Sequence, residues 1–424
     1  MIARRPRYKW ELLLILWLAY FLNQGDRQIY SAVLPLIKAD LKLSDVELGL
    51  VATIFTLLFG VLVPLAGYLG DFTAKKWIVC LSLLTFSAGT LLTGFTSGLL
   101  TLIVFRSVAT GVGETFYYPA ANTLIGQYHR ETRAQAMAVH QTALYVGIVV
   151  SSWAAGWMAE LRGWRATFLA FGTGGLLLAA IVAWRLRDER RDPELIQPAK
   201  AAGNFREALG PLLRIPTLYL LGLAFGGTVF VGAGWLMWMP TFLYEKFHLP
   251  LREAAFFAVL YHHMFAFLGV LAGGRVSDRL AHGRRTIRLE VGCVGLLLGA
   301  PFIWLMGACS DLTMVYIALA CFGFFRGVYD SNIFAALFDV VPPQLRSSAT
   351  GLMVCGGFTV GATSPLLLGY IKQHVNLGIG LSCLAFVYLF AAAAIFIAMK
   401  MFLARDYTPE PAVPPRENIA SSTD

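Results

Sequence analysis

Apolar residues run almost unbroken for long stretches of this chain, and short polar segments punctuate them at near-regular intervals. A helix needs about 20 mostly apolar residues to cross a bilayer core. On that template the sequence predicts twelve spans, near 12–36, 46–70, 77–97, 99–125, 136–159, 165–186, 216–243, 254–277, 287–308, 312–339, 347–371 and 377–402. One long polar segment stands between the sixth and seventh, carrying Pro193, Pro198, Pro211 and many arginines. The expected organisation is an N-terminal six-helix bundle over 1–186, a central loop over 187–214, a C-terminal six-helix bundle over 215–406 and a disordered tail over 407–424. The fold class is therefore an all-α membrane protein of two six-helix bundles.

The pattern breaks most sharply inside the first run, at Asn23-Gln24-Gly25-Asp26-Arg27. A charged side chain at the middle of a bilayer costs roughly 2.5–3.5 kcal/mol on insertion scales, so it is paired, faces a watery cavity or is used. Adjacent helical residues point about 100° apart, so Asp26 and Arg27 cannot share one lipid-facing stripe. At least one looks into the protein, either as half of a helix-locking salt bridge or as a working group.

Composition agrees with a membrane protein: 57% of the 424 residues are hydrophobic and only 14% are charged, where a soluble domain has nearer a quarter. The net charge of +9 is unevenly placed. Roughly 24 of the 34 Lys+Arg fall on the side of the two termini and about 7 on the other, which predicts cytoplasmic termini in a cell (inner) membrane. That placement, without a basic patch interleaved with aromatics, argues against nucleic acid as a partner. The six cysteines, Cys80, Cys293, Cys309, Cys321, Cys355 and Cys383, stand singly and mark neither a metal site nor a disulfide framework. The basic segment Met1–Trp10 precedes an apolar run too long for a signal peptide, so it leads into the first span.

The two halves echo each other. Gly67-Tyr68-Leu69-Gly70-Asp71, followed by Lys75-Lys76, joins spans 2 and 3; Gly274-Arg275-Val276-Ser277-Asp278-Arg279, followed by Arg284-Arg285, joins spans 8 and 9. Arg133 to Ala138 between spans 4 and 5 is echoed by Arg346 to Gly351 between spans 10 and 11. Repeated halves are a usual way of building a central cavity with alternating gates. With these motifs the chain resembles the major facilitator superfamily of transporters over essentially its whole length. The resemblance implies that Gly67, Asp71, Lys75 and Lys76, and Gly274, Asp278, Arg279 and Arg284, form a gating loop that fastens helices on the cytoplasmic side in the outward-facing state. The first copy departs from the family pattern at Phe72 and Ala74, and the second has two extra residues before its basic pair.

Span 4 carries Arg106 and then Gly111-Val112-Gly113-Glu114, with Tyr117, Tyr118 and Pro119 one turn on. Arg106 and Glu114 are about 12 Å apart along their helix axis. They cannot pair with each other, and Asp26 is a candidate partner for Arg106. An Asp-Arg pair in the first span with Gly-x-Gly-Glu in the fourth is similar to two branches of the superfamily. One is the anion:cation symporters of sugar acids and other organic anions, the other the Spinster-like carriers of lysolipids or sphingoid lipids. The resemblance implies that Asp26 and Glu114 couple protons and that Arg27 contacts the substrate anion. It leaves Arg106 less clear, since its spacing to Gly111 is one residue longer than usual.

Further candidates for substrate binding come from residue type and depth. They are Arg106, Tyr117 and Tyr118; His140 and Gln141 in span 5; Trp238 in the Trp-x-Pro-Thr end of span 7; His262 in span 8; and Arg326, Asp330 and Asn332 in span 10. Of His262 and His263 one at most is expected to face the cavity. Arg326 and Asp330, at i and i+4, either pair together, or Arg326 serves as an anion clamp opposite Arg27. Trp238 serves equally as an interfacial aromatic. No nucleophile–base pair or phosphate loop appears, so an enzyme is not expected. The expected function is a monomeric, proton-coupled symporter of a small organic anion such as a sugar acid, carboxylate or sugar phosphate. It needs no cofactor beyond the coupling proton. A Spinster-like lipid exporter is the alternative, and a transporter-like sensor the third possibility.

Overall fold

The computed structural model describes residues 6–72, 74–129, 131–187, 210–281 and 284–408, with backbone alone at 6–7, 67–72 and 281. Most of the central loop (188–209) and of the tail (409–424) lies outside the described residues. Among the latter, twelve long helical segments follow one another: α1 (Pro6–Ala32), α2 (Asp45–Phe72), α3 (Lys75–Thr93), α4 (Leu99–Tyr128), α5 (Arg133–Arg162), α6 (Trp164–Arg185), α7 (Pro216–Phe247), α8 (Leu251–Ala281), α9 (Ile287–Ala308), α10 (Leu312–Val340), α11 (Pro343–His374) and α12 (Leu377–Asp406). Eleven are long and apolar enough to cross a membrane; α1 falls short because of its polar middle. That middle turns inward, with Asn23, Gln24, Asp26 and Gln28 all buried.

Two predicted spans are broken. The helix expected to run to residue 36 ends at Ala32, and Leu34–Leu41 forms a separate short helix with Pro35 in its first turn. Proline has no N–H to continue the ladder but fits a helix start. In α11 the helix pauses at Ala362, three residues before Pro365, whose missing N–H leaves the Gly361 carbonyl without its i+4 donor. At the end of the described residues the Thr408 N–H donates to the Asp339 carbonyl at 2.8 Å.

Within each half the same pairs pack: α1 on α5 and α3 on α6 in the first, α7 on α11 and α9 on α12 in the second. The repeat reaches single side chains. Cys80 on α3 donates its thiol to the Ala179 carbonyl on α6, and Cys293 on α9 does the same to Ala392 on α12, each pair 99 residues apart. The halves meet along two seams, α2 with α11 and α5 with α8, which are exchanged when the halves are exchanged.

Every side-chain hydrogen bond and ion pair between the halves, among the described residues, lies on the face opposite the termini. Lys372 on α11 donates to Asp45 on α2 at 2.9 Å and to Glu245 on α7 at 2.8 Å, and Lys38 meets the same Asp45 at 2.6 Å. Arg252 on α8 meets Glu160 on α5 at 3.4 Å. Nearby, Arg165 fastens the Asp40 carboxylate and, with the Trp164 N–H, holds its pKa below the usual carboxylate range. Small residues bring the backbones together: a Cβ on Gly49 would sit 2.5 Å from the Pro365 carbonyl oxygen, and one on Gly156 2.5 Å from the Arg252 Cα. On the terminus side of α11, by contrast, Gly351 and Gly356 face open space. The halves are closed on the far face and parted toward the termini.

Gly49→Leu places a side chain against backbone that cannot yield, so it is expected to unseat this seal. A cysteine introduced at Ser31, in a background stripped of the native cysteines, is then labelled several-fold more from the far face by an impermeant maleimide. Unchanged labelling would show that the α2–α11 seam does not hold the halves together.

Candidate substrate and ion site

Just inside the seal lies a cavity of about 450 Å³ between the halves. Arg27, Arg106 and Gln141 border it from the first half, and Trp235, Arg326 and Asp330 from the second. Its N-terminal wall is built on the polar break in α1. Asp26 points into the bundle toward α3 and α4, while Arg27, one residue on, lies at the cavity wall with 23% of its side chain accessible.

Four charges interlock across α1 and α4. The Arg27 Nε–H donates to Glu114 Oε2 at 2.5 Å. Arg106 Nη1 stands 3.6 Å from Asp26 Oδ2, and its Nη2 donates to the Asp26 backbone carbonyl at 3.3 Å. Arg106 thus takes Asp26 as its partner, and the eight-residue separation of Arg106 and Glu114 lets one helix answer both members of the adjacent pair. The backbone around Arg106 is π-helical over Ile103–Ala109. A π turn accommodates one additional residue, which matches the extra residue between Arg106 and Gly111.

The quartet is neutral when all four groups are ionised, yet it is short of hydrogen bonds. Asp26 Oδ2, Glu114 Oε1, and Arg106 Nε and Nη1 are buried without a hydrogen-bond partner. A proton on either acid would turn one of these unsatisfied acceptors into a donor. Thr90 on α3 adds a second adaptable contact. Its hydroxyl lies 2.6 Å from Asp26 Oδ1 and 2.9 Å from the Phe86 carbonyl, two acceptors for one hydrogen. It can donate to an ionised Asp26, or turn to Phe86 and accept from a protonated one, with no heavy atom moving.

The remaining candidates divide. Gln141, His262, Arg326 and Asp330 reach the cavity, and Arg326 and Asp330 also pair with each other at 3.4 Å. His263 borders the cavity together with His262, against the expectation that one at most would, because the two rings flank Trp235 at 4.1 and 5.9 Å. Tyr117 is withdrawn into the first bundle. Its hydroxyl donates to the Leu16 carbonyl at 2.5 Å and lies 3.2 Å from His140 Nε2. His140 is likewise buried, stacked on Tyr20 at 4.7 Å, and Tyr118 packs on the same Tyr20 ring. This aromatic cluster does not border the cavity, because it faces α1 and α5 rather than α7. Trp238 is also displaced from the site: fully buried, it donates its indole N–H to the Pro365 carbonyl at 3.0 Å and braces α7 on α11. Trp235, one turn earlier, reaches the cavity instead. Asn332 is turned back on its own helix, donating to the Val328 carbonyl at 3.0 Å, and does not border the cavity.

In the gating motif the side chains of Gly67 and Asp71 lie outside the described residues. Lys75 is buried, and Lys76 lies over the Trp77 ring at 5.1 Å. Gly274 faces open space, Asp278 and Arg279 are exposed, and Arg284 reaches Glu290 at 3.5 Å.

A family model described as the Major Facilitator Superfamily matches residues 16–365, and the chain belongs to that family. It is 26% identical over 396 residues to a probable sulfoacetate transporter, SauU, of Cupriavidus necator, covering 88% of this chain and 90% of that one. It is 28% identical over 398 residues to protein spinster homolog 1 of Xenopus tropicalis, covering 88% and 74%. The solved structure of a bacterial homologue of the human lysosomal transporter Spinster, inward-facing and unoccupied, superposes with a TM-score of 0.83. The identity there is 22%, over 96% of this chain and 99% of that one. The protein is a membrane transporter of this superfamily, not an enzyme.

Removing one member of a buried ion pair costs roughly 3–5 kcal/mol. Arg106→Met is expected to lower thermal stability in detergent on that scale, and adding Asp26→Asn to restore part of the loss. Strictly additive losses would show that the two groups are not coupled. Thr90→Val leaves an Asp26 oxygen without its donor, for about 1–3 kcal/mol, whereas Thr90→Ser keeps the hydroxyl and is expected to stay near wild type.

Proposed function

We propose that the protein is a proton-coupled symporter of a small organic anion, working by alternating access. The carrying observation is the Asp26–Arg27–Arg106–Glu114 quartet, which is neutral, under-satisfied in hydrogen bonds and open to the cavity on its Arg27 side. A proton taken up by Asp26 or Glu114 leaves the site with one net positive charge and loosens the hold on Arg27. An anion then binds the guanidinium, which pairs bidentately with carboxylate, sulfonate or phosphate groups. The doubly loaded site is neutral again, as is the empty one. A site holding only one of the two carries an unpaired buried charge, so its reorientation is penalised.

Sugar acids, other carboxylates, sulfonates and sugar phosphates all fit this charge balance, and the similarity to the sulfoacetate transporter supports the anion reading. The Lys/Arg distribution supports cytoplasmic termini in an inner membrane, which makes the parted face the cytoplasmic one. A Spinster-like exporter of lysolipids or sphingoid lipids is the second reading, favoured by the similarity to spinster homolog 1.

In proteoliposomes, an inward proton gradient is expected to drive uptake of an organic anion with acidification of the lumen. Asp26→Asn and Glu114→Gln should each lower gradient-driven uptake by about tenfold or more while leaving anion exchange intact, because a permanently neutral acid mimics the loaded carrier. Gradient-driven uptake at wild-type rates in both variants would refute proton coupling at this site, and flux of lysolipid alone would favour the exporter.

A further inference from the structure

Given the symport reading above, we infer that the transported anion has an apolar, flat body, with an arylcarboxylate as its type, and is not a polyhydroxylated acid. Every hydroxyl of a sugar acid needs a donor or acceptor when it leaves water. Three of the hydroxyls on the cavity wall already donate to backbone carbonyls. Tyr30 gives its hydrogen to the Leu48 carbonyl at 3.0 Å, Ser31 to Gln28 at 3.0 Å and Thr56 to Ala52 at 2.9 Å. Gln141 and Tyr145 remain as neutral polar groups of the first half, too few for a chain of hydroxyls.

The rest of the wall suits a ring. Phe55 and Phe358 border the cavity from opposite halves, with Trp235 beside them on α7. The Arg27 guanidinium lies 4.3 Å from the Phe59 ring and 5.7 Å from the Phe55 ring, and Arg106 lies 4.8 Å from Phe55. Arg27 uses its Nε–H on Glu114 and presents its remaining edge at the wall. A carboxylate meeting that edge carries the body attached to it onto aromatic faces. In the second half Trp235 Nε1 and His262 Nδ1 are buried without a partner, in the same wall as Arg326. They suit one further polar atom on the ligand, not several. Discrimination by an apolar pocket against an added hydroxyl reaches about 100-fold and no more.

The test is calorimetric binding to the detergent-purified full chain, using two monoanions, benzoate and gluconate, and lysophosphatidylcholine as a third ligand. Uptake of each is followed in proteoliposomes. Benzoate is expected to bind at least about tenfold more tightly than gluconate, a conservative reading of the hydroxyl penalty. Phe358→Ala should weaken benzoate several-fold and leave gluconate unchanged. Gluconate binding as tightly as benzoate, with proton-coupled uptake, overturns the inference and leaves the symport reading standing. Binding of neither anion overturns the inference, and binding and flux of lysolipid alone overturn both.

Discussion

Four charges held inside a bilayer are the constraint on which the rest of this structure depends. Asp26 and Arg27 are adjacent on one helix and therefore diverge, so no single neighbour can neutralise both. α4 does so by offering an arginine and a glutamate two turns apart, and α3 adds the Thr90 hydroxyl. The arrangement explains why α1, the least apolar of the twelve helices, can sit in a membrane: its polar side is solvated by protein. It also explains why the first bundle is tightly specified around these helices, since a shift of one residue along α1 would exchange the inward acid for the cavity-facing base.

The quartet lies just inside the sealed face, and that position ties charge to conformation. Closure rests on close backbone approach at Gly49 and Gly156 and on a few ion pairs such as Lys372 with Asp45 and Glu245. Lys372 and Asp45 are themselves nearly buried, whereas Glu245 and the Arg252–Glu160 pair are accessible, and accessible ion pairs are worth little individually. The quartet beneath them is buried, and removing one member leaves an uncompensated buried charge.

The cavity divides its chemistry between the halves. The first supplies Arg27, Arg106 and Gln141; the second supplies Arg326 with Asp330, the two histidines and Trp235. Between them the walls are aromatic, and their hydroxyls are turned away to the backbone. The site is thus charged at its ends and apolar along its length, a character set by hydrogen bonds within the helices as much as by which residues face inward.

Much of this was determined by the sequence alone. Twelve apolar runs, the repeat of the Gly67 and Gly274 motifs, and the charged break at Asp26-Arg27 follow from hydrophobic length and the cost of charge in lipid, which act locally along the chain. The need of Arg106 for a partner on another helix followed from the rise of an α-helix. The tertiary structure alone decided how the charges cross, with Arg27 on Glu114 and Arg106 on Asp26, because that depends on how α1 and α4 are rotated against each other. Rotation also decided that Trp235 and not Trp238 meets the cavity, and that Tyr117 and His140 close an aromatic cluster inside the first bundle. Thr90 left no signal in the sequence, since a threonine in an apolar run looks the same whether it bonds its own helix or a neighbouring carboxylate. Helix depth is written in composition, but helix rotation is fixed by packing against partners far away in the chain.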